Sequence, residues 1–129
     1  MDARTEVRAE DAPAPKGAYS QAIRAGDFVF VSGQGPIDPS TGEILGETVE
    51  EQTELTLRNI EAIARAAGGS LDDAVKVSAY LASIDDFPAY NAVYERMFAK
   101  DPRPARTTVG SALLGIRVEI DAVLYLPAG

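Results

Sequence analysis

The order of apolar and polar residues along the chain predicts six short strands. Alternation of apolar and polar residues, which is weak in the first strand, or a run of β-branched and aromatic residues marks most of them. They are Thr5–Ala9 at a sheet edge, Ala18–Ala25, Phe28–Val31, Val75–Leu81, Thr107–Val109 and Arg117–Tyr125. Gly26-Asp27, between the second and third strands, is typical of a tight two-residue hairpin turn. The strand-forming segments therefore begin with an antiparallel hairpin.

Two other segments show the residue spacing of amphipathic helices. The first begins after Thr48, which can form a capping box with Glu51, and ends at Gly68-Gly69. Its inward face consists of Val49, Leu57, Ile60, Ile63, Ala64 and Ala67. Asp85 is predicted to cap the second helix, and Asp101-Pro102 to end it. The second helix carries an aromatic stripe that favours a core position over a ligand pocket: Phe87, Tyr90, Tyr94, Met97 and Phe98.

These elements predict a single compact α+β domain over residues 1–129, with a mixed β-sheet and two helices packed on one face. In the last strand, alternation places four apolar residues inward: Val118, Ile120, Ala122 and Leu124. The outward face mixes polar and apolar residues, namely Glu119, Asp121, Val123 and Tyr125. Because apolar residues lie on that face, a partner subunit is its expected cover, and a homo-oligomer is predicted.

Composition narrows the possible chemistry. Twelve basic against 20 acidic residues give a net charge of −8, which disfavours nucleic acid and anionic membranes as partners. The chain has no Cys and no His, so thiolate nucleophiles, disulfides and histidine-based catalysis are excluded, and no metal site or cofactor is expected. Residues 1–16 mix charges with Ala and Pro, lack the apolar core of a signal peptide and are expected to be partly flexible. A cytoplasmic location is therefore expected.

Three features could carry chemistry. Arg106 follows Pro104-Ala105 into a strand and suits bidentate capture of a carboxylate, although a surface ion pair is the commoner role. Glu119 lies in the middle of a half-buried strand, where it could hold a water or instead pair with a Lys or Arg across the sheet. The glycines of Ser32–Gly35 would let a ligand approach the backbone. Tyr19 and Asn91 do not stand out by themselves.

Six sequence blocks, in order, resemble the reactive-intermediate deaminase family, also called the Rid or YjgF-like family. The resemblance extends from about Glu6 to Tyr125, and the Pro-x-Arg-Thr block followed by the Glu-bearing last strand is its most specific part. The blocks are Gly17–Gln21, Val31–Gln34, Asp38–Gly42, Asp86–Asn91, Pro104–Val109 and Val118–Ile120. The resemblance implies a fold similar to that of chorismate mutase and a homotrimer with ligand sites between subunits.

The resemblance also implies an activity, namely the hydrolysis of 2-imino acids or their enamine tautomers, such as 2-aminoacrylate and 2-iminobutanoate, to 2-keto acids and ammonia. By this resemblance Arg106 would bind the substrate carboxylate, and Glu119 would position the attacking water. Five further residues would line the pocket: Tyr19, Ser32, Gly33, Asn91 and Thr108. No cofactor or metal would take part.

The chain departs from the family pattern at three places. Ala18 replaces a usual Pro, Thr108 replaces a frequent Cys, and the segment 110–117 is about two residues shorter than in typical deaminases. Two alternatives to the deaminase therefore stay open. One is a non-catalytic module that binds small carboxylates, which the shorter segment favours. The other is a ribonuclease or translation inhibitor, which the negative charge and the lack of His disfavour.

Overall fold

A computed structural model of the protein describes residues 3–127. These residues form six strands and two helices, and a single sheet contains all the strands in the order β1-β2-β3-β6-β4-β5. The strands are β1 (Arg4–Val7), β2 (Ala22–Ala25), β3 (Phe28–Gln34), β4 (Ala74–Leu81), β5 (Ala105–Gly110) and β6 (Val118–Tyr125), and the helices are α1 (Val49–Ala66) and α2 (Phe87–Met97). The sheet is mixed, because β4 and β5 are parallel and the other neighbouring strands are antiparallel. The predicted α+β domain is confirmed.

One face of the sheet is buried beneath both helices. The inward residues of β6 are the four that its alternation predicts, and each is at most 2% exposed. They join inward residues of β3 and β4 and the apolar sides of the helices in one cluster. Burial of this much apolar surface is the main stabilising contribution in a domain of this size. The other face of the sheet, called here the open face, is not covered within the described chain.

Helix α1 begins and ends as its sequence predicts. Thr48 Oγ1 accepts a hydrogen bond from Glu51 N, and Glu51 reciprocates with a carboxylate oxygen at Thr48 N. After the helix, Gly68 adopts a φ of +98°, which favours glycine. The predicted inward residues of α1 are buried or half-buried, as expected. The pattern did not reveal four buried polar residues on this helix: Gln52, Thr53, Thr56 and Asn59.

The start of helix α2 differs from its prediction. A short 3-10 turn, Ile84–Asp86, precedes it, and Ser83 caps that turn by accepting a hydrogen bond from Asp85 N. The N-cap residue of α2 itself is Asp86, whose side chain makes no capping hydrogen bond. Asp85 is therefore not the cap. The helix also ends earlier than predicted, at Met97 and not at Asp101-Pro102. Neither described helix combines the length and apolar character needed to cross a membrane.

The first hairpin is shorter than predicted. Ala25 pairs with Phe28 across the expected two-residue turn, but β2 begins at Ala22 rather than Ala18. Residues 17–20 bend instead, because the buried Gln21 side chain bonds to backbone groups of Ala9, Ala12 and Pro13. The edge strand β1 is present, with bounds shifted toward the amino end. Of the segment 1–16, residues 1 and 2 lie outside the described residues, and its partial flexibility stays a prediction.

Candidate functional site

Arg106 lies on the buried side of the sheet, at its helix-covered edge. It pairs in register with Val77 of the parallel neighbour β4, so both side chains point toward helix α2. There Arg106 Nη1 donates to Asn91 Oδ1 at 2.7 Å. Asn91 Nδ2 in turn donates to Glu95 Oε1 at 3.0 Å, which fixes the orientation of the amide.

The aromatic stripe of α2 surrounds the same guanidinium. The Arg106 guanidinium carbon lies 4.4 Å from the ring centroid of Tyr94, 5.4 Å from that of Phe87 and 5.7 Å from that of Tyr90. These distances are within the range of cation–π attraction. The stripe therefore belongs to the core, as predicted, and also contacts the candidate residue, which the prediction did not include.

Arg106 has no acidic partner within ion-pair distance among residues 3–127. The described residues therefore do not contain the alternative, a surface ion pair of Arg106. The residue borders an open depression of about 340 Å³, whose other lining residues are Asn91, Tyr94, Glu95, Arg103 and Pro104. Glu95 accepts from Asn91 and forms no ion pair with Arg106. A half-buried arginine without a carboxylate partner, beside an open depression, is suited to bind an anion from outside the chain. We call Arg106, Asn91 and Thr108 the cationic half-site.

Thr108 joins this half-site two residues along β5. It pairs with Ala79, so its side chain lies on the same face as that of Arg106. Thr108 Oγ1 lies 3.1 Å from the hydroxyl oxygen of Tyr90, within hydrogen-bond distance. The hydroxyl thus ties β5 to α2 next to the guanidinium.

Glu119 lies on the open face, in a second depression. Its lining consists of Tyr19, Ser32, Gly33 and Glu119, which we call the acidic half-site, and its volume is about 350 Å³. A Cβ placed on Gly33 would come within 2.7 Å of Glu119 Oε2. The glycine therefore makes room for the carboxylate. Ser32 Oγ donates to Ser20 O at 2.6 Å and so holds the bend that presents the exposed Tyr19.

The charge of Glu119 is not compensated by the rest of the described chain. The residue across from it on β4 is Tyr80, and none of the ion pairs includes Glu119. The alternative of a cross-strand Lys or Arg partner is therefore wrong. Burial, and then the charge of Asp121, raise the pKa of Glu119 above its usual value. A carboxylate with a raised pKa and no cationic partner can accept a proton from a water.

Asp121 lies two residues along β6 and on the same open face as Glu119. Burial raises the pKa of Asp121, although a hydrogen bond of 3.3 Å from the Tyr80 hydroxyl opposes this shift. Asp121 thus has a hydrogen-bond donor, and Glu119 has none among the described residues. This difference favours Glu119 as the carboxylate available to a ligand.

The predicted site residues therefore form two separate groups within one chain. Arg106, Asn91 and Thr108 lie on the helix-covered side of the sheet, and Glu119 and Gly33 lie on the open face. A single chain cannot bring Arg106 and Glu119 to one small ligand, because the sheet separates them. Between residues 3 and 127, no group of three or more acidic side chains is arranged to hold a metal ion.

Two contributors to the cationic half-site were missed from the sequence. Tyr94 was assigned only to the core, and Glu95 was not considered. Both follow from helical geometry, because residues three and four positions apart lie on one helix face. Asn91, Tyr94 and Glu95 satisfy that spacing. The sequence alone did not show that β5, and not another strand, packs beside this face of α2.

The fold and the two half-sites define a small α+β protein that exposes a cationic and an acidic half-site on opposite sides of one sheet. A family model described as Endoribonuclease L-PSP matches residues 9–126. The chain therefore belongs to this family, which is the YjgF-like or Rid family of the sequence resemblance.

Individual relatives agree with this membership. A RutC family protein of Pyrococcus horikoshii is 48% identical over 118 residues, which are 90% of this chain and 93% of that protein. Reactive Intermediate Deaminase A, chloroplastic, of Arabidopsis thaliana is 40% identical over 93% of this chain and 65% of that protein. The crystal structure of E. coli TdcF with bound serine has a TM-score of 0.86 and 35% identity, covering 94% of this chain and 98% of that chain.

Proposed function

We propose that the protein hydrolyses 2-imino acids, and their enamine tautomers, to 2-keto acids and ammonia. The observation that carries this proposal is the pair of uncompensated half-sites. Arg106 lacks an anionic partner and Glu119 lacks a cationic one among the described residues. A ligand that has a carboxylate beside an electrophilic carbon, attacked by water, needs both kinds of group.

The cationic half-site suits the substrate carboxylate. The Arg106 guanidinium is planar, and among the described residues only its Nη1 donates to a protein acceptor, Asn91 Oδ1. The remaining N–H groups can form two parallel hydrogen bonds to one carboxylate. One relative, E. coli TdcF, has a crystal structure with bound serine, which is a ligand with a carboxylate. In our proposal Thr108 lines the pocket beside it.

The acidic half-site suits the water. Glu119 would accept a proton from a water as its oxygen bonds to the imine carbon, and the imine nitrogen would take up a proton. The resulting carbinolamine then loses ammonia and becomes the 2-keto acid, so one water is consumed for each ammonia released. Imines hydrolyse readily in water, and therefore orientation together with one general base is sufficient. Tyr19, Ser32 and the Gly33 backbone would complete this side of the pocket.

The proposal requires an assembly of copies of the chain, and the family resemblance makes a homotrimer the expected one. The sheet separates the half-sites within one chain, so the Arg106 of one subunit would meet the Glu119 of its neighbour. The open face offers the surface for this assembly, because it exposes Phe28 (41%), Phe30 (49%) and Tyr125 (45%) beside the acidic half-site strands. Exposed aromatic residues on a sheet face are typical of protein interfaces.

The test is a coupled assay in which an amino-acid oxidase generates 2-iminopropanoate or 2-iminobutanoate. We expect the protein to accelerate imine loss, and both Arg106→Ala and Glu119→Gln to abolish the acceleration without loss of the folded state. Circular dichroism and thermal unfolding serve as the folding control. Full activity in Arg106→Ala would contradict the proposal.

Two other results would redirect the assignment. Binding of a 2-keto acid by calorimetry without imine turnover would identify a binding module. RNA cleavage that is lost in Glu119→Gln would instead support the activity named in the family model's description. The net charge of −8 and the absence of His disfavour that activity.

A further inference from the structure

We propose that Tyr94 is a positioning residue, which holds the Arg106 guanidinium in the plane needed to bind the substrate carboxylate. This inference rests on the proposed function and adds a role for a residue of the core. The Tyr94 ring is 3% exposed, and it is the nearest of the three rings around the guanidinium, at 4.4 Å.

The arrangement restrains Arg106 in two independent directions. The Tyr94 ring covers the guanidinium at the distance of a stacking contact, which limits its tilt. The hydrogen bond to Asn91, itself oriented by Glu95, limits rotation about the axis of the side chain. An arginine held in both ways loses less conformational entropy when it binds a ligand. Phe87 and Tyr90, at 5.4 and 5.7 Å, complete the aromatic surroundings.

The Tyr94 hydroxyl does not explain why a tyrosine ring occupies this position. Its oxygen is buried and has no hydrogen-bond partner among the described residues. Burial raises the pKa of Tyr94 to about 12, so the hydroxyl stays neutral near pH 7. The contribution of Tyr94 to the site is therefore that of its ring.

Two substitutions of Tyr94 distinguish the role of its ring from that of its hydroxyl. Tyr94→Phe keeps the ring, whereas Tyr94→Leu removes it. Phe98→Leu is the matched control, because Phe98 is buried in the same stripe, 4.5 Å from the Tyr94 ring centroid, and makes no cation–π contact with Arg106. Both leucine variants remove a buried aromatic ring, but only one of them removes the ring against the guanidinium.

The kinetic readout is the split between KM and kcat. Carboxylate binding contributes equally to the ground state and the transition state, so its loss appears in KM. In Tyr94→Leu we expect KM for 2-iminobutanoate to rise on the order of tenfold, with a smaller change in kcat. Tyr94→Phe, which keeps the ring, should have the KM of the unmodified protein. Phe98→Leu should lower the melting temperature and leave KM close to its original value.

A second readout does not depend on activity. The side-chain Nε–H group of Arg106, assigned in a nitrogen-15 spectrum with Arg106→Lys, should have a high order parameter in the unmodified protein and in Tyr94→Phe. The order parameter should fall in Tyr94→Leu. If this variant does not fold, Phe87→Leu, which removes a half-buried ring at 5.4 Å, should lower it to a smaller extent.

The outcomes separate this inference from the proposed function. Absence of imine turnover in the unmodified protein, together with the expected change in the order parameter, would reject the deaminase but keep the positioning role. An equal rise of KM in Phe98→Leu and Tyr94→Leu would overturn the inference. An unchanged Arg106 order parameter in Tyr94→Leu would also overturn it.

Discussion

The protonation of Glu119 sets how the activity should depend on pH. Burial first, and then the charge of Asp121, raise its pKa above the usual 4.5. A general base acts only when it is deprotonated, so kcat/KM should fall as the pH drops through this raised pKa. In Asp121→Asn the neighbouring charge is absent, and the acidic limb of the profile should move to lower pH. The measurement is kcat/KM for 2-iminobutanoate between pH 4.5 and 8.

The same shift has the opposite consequence for stability. A carboxyl with a raised pKa binds its proton more tightly in the folded chain than in the unfolded chain. Its contribution to the free energy of unfolding is thus fully present below pH 4.5 and is lost as the pH rises through the folded-state pKa. Activity and this part of the stability therefore change in opposite directions with pH.

The Asp121→Asn variant also tests the assignment of the pH profile. If the acidic limb of its kcat/KM profile does not move to lower pH, the group that titrates in this limb is not Glu119.

Gly33 offers a second prediction at the scale of one residue. In Gly33→Ala the new Cβ would lie 2.7 Å from Glu119 Oε2, so the carboxylate must move. Since the displaced group is the end of a flexible side chain, the fold should persist. A misplacement of this kind should lower kcat/KM on the order of a hundredfold.

The matched control is Gly110→Ala on β5. Its Cβ would meet no atom closer than 3.7 Å, at Ile84 Cβ. We therefore expect this variant to keep both its melting temperature and its activity. If Gly33→Ala is as active as Gly110→Ala, the position of the Glu119 carboxylate is not important for the reaction.

Helix α1 fixes the loops beside the acidic half-site with polar side chains from its buried face. Asn59 Nδ2 donates to Gly35 O and Ile37 O, both at 3.0 Å, immediately after β3. Gln52 accepts from Arg117 N at 2.8 Å, just before β6. The two strands that carry Gly33 and Glu119 are thus tied to one helix.

Asn59→Leu tests this role of the helix. Two carbonyl groups would lose a donor, and we expect a loss of about 1–3 kcal/mol in the free energy of unfolding. Thr56→Val is the control on the same helix, because the buried Thr56 hydroxyl has no partner within the described structure. That variant should be neutral or slightly more stable. Urea denaturation measures both, and equal losses in the two variants would contradict the assigned role of Asn59.

The elements show which parts of the structure were predictable from the sequence. Helix α1 and strand β6 follow from local periodicity, and both confirm the predicted inward faces. The placement of Arg106 and Glu119 on opposite faces of the sheet does not follow from periodicity. It depends on the parallel register that pairs Val77 with Arg106 and on the antiparallel register that pairs Tyr80 with Glu119. Such pairings join segments far apart in the chain, and alternation within one strand does not determine them.

The same limit applies to two of the corrected features, the start of β2 and the turn before α2. The bend before β2 depends on Gln21, whose buried amide bonds to a distant segment of the chain. Asp85 lies within a 3-10 turn that Ser83 caps, so it does not cap α2. In both cases a polar side chain had several possible roles, and tertiary contacts selected one of them.

At the scale of the whole molecule, the open face should be an interface between copies of the chain. Phe30 is 49% exposed at the centre of β3, and its cross-strand neighbours are Ile23 and Val123. In Phe30→Glu a charge would have to be buried in the assembled protein, so the proposed homotrimer should dissociate and the proposed activity should be lost. Native mass spectrometry gives the number of subunits, and a trimer that persists in this variant would place the interface elsewhere.

The arrangement of half-sites leads to a mixing experiment. Arg106→Ala and Glu119→Gln subunits are inactive separately in our proposal, because each lacks one half-site. After random exchange in equal amounts, a neighbouring pair can combine an intact Arg106 with an intact Glu119. This occurs at about a quarter of the sites in a closed ring of identical contacts, so about a quarter of the original activity should return.

The control replaces one parent with the doubly substituted chain. Arg106→Ala mixed with a chain that carries both substitutions never supplies an intact Arg106, so no activity should return. Subunits that differ in mass show by native mass spectrometry that exchange has taken place. If activity stays absent after complete exchange of the two single variants, Arg106 and Glu119 do not act across a subunit boundary. Recovered activity would mean that the sheet separates the two residues in one chain and that assembly brings them together in the site.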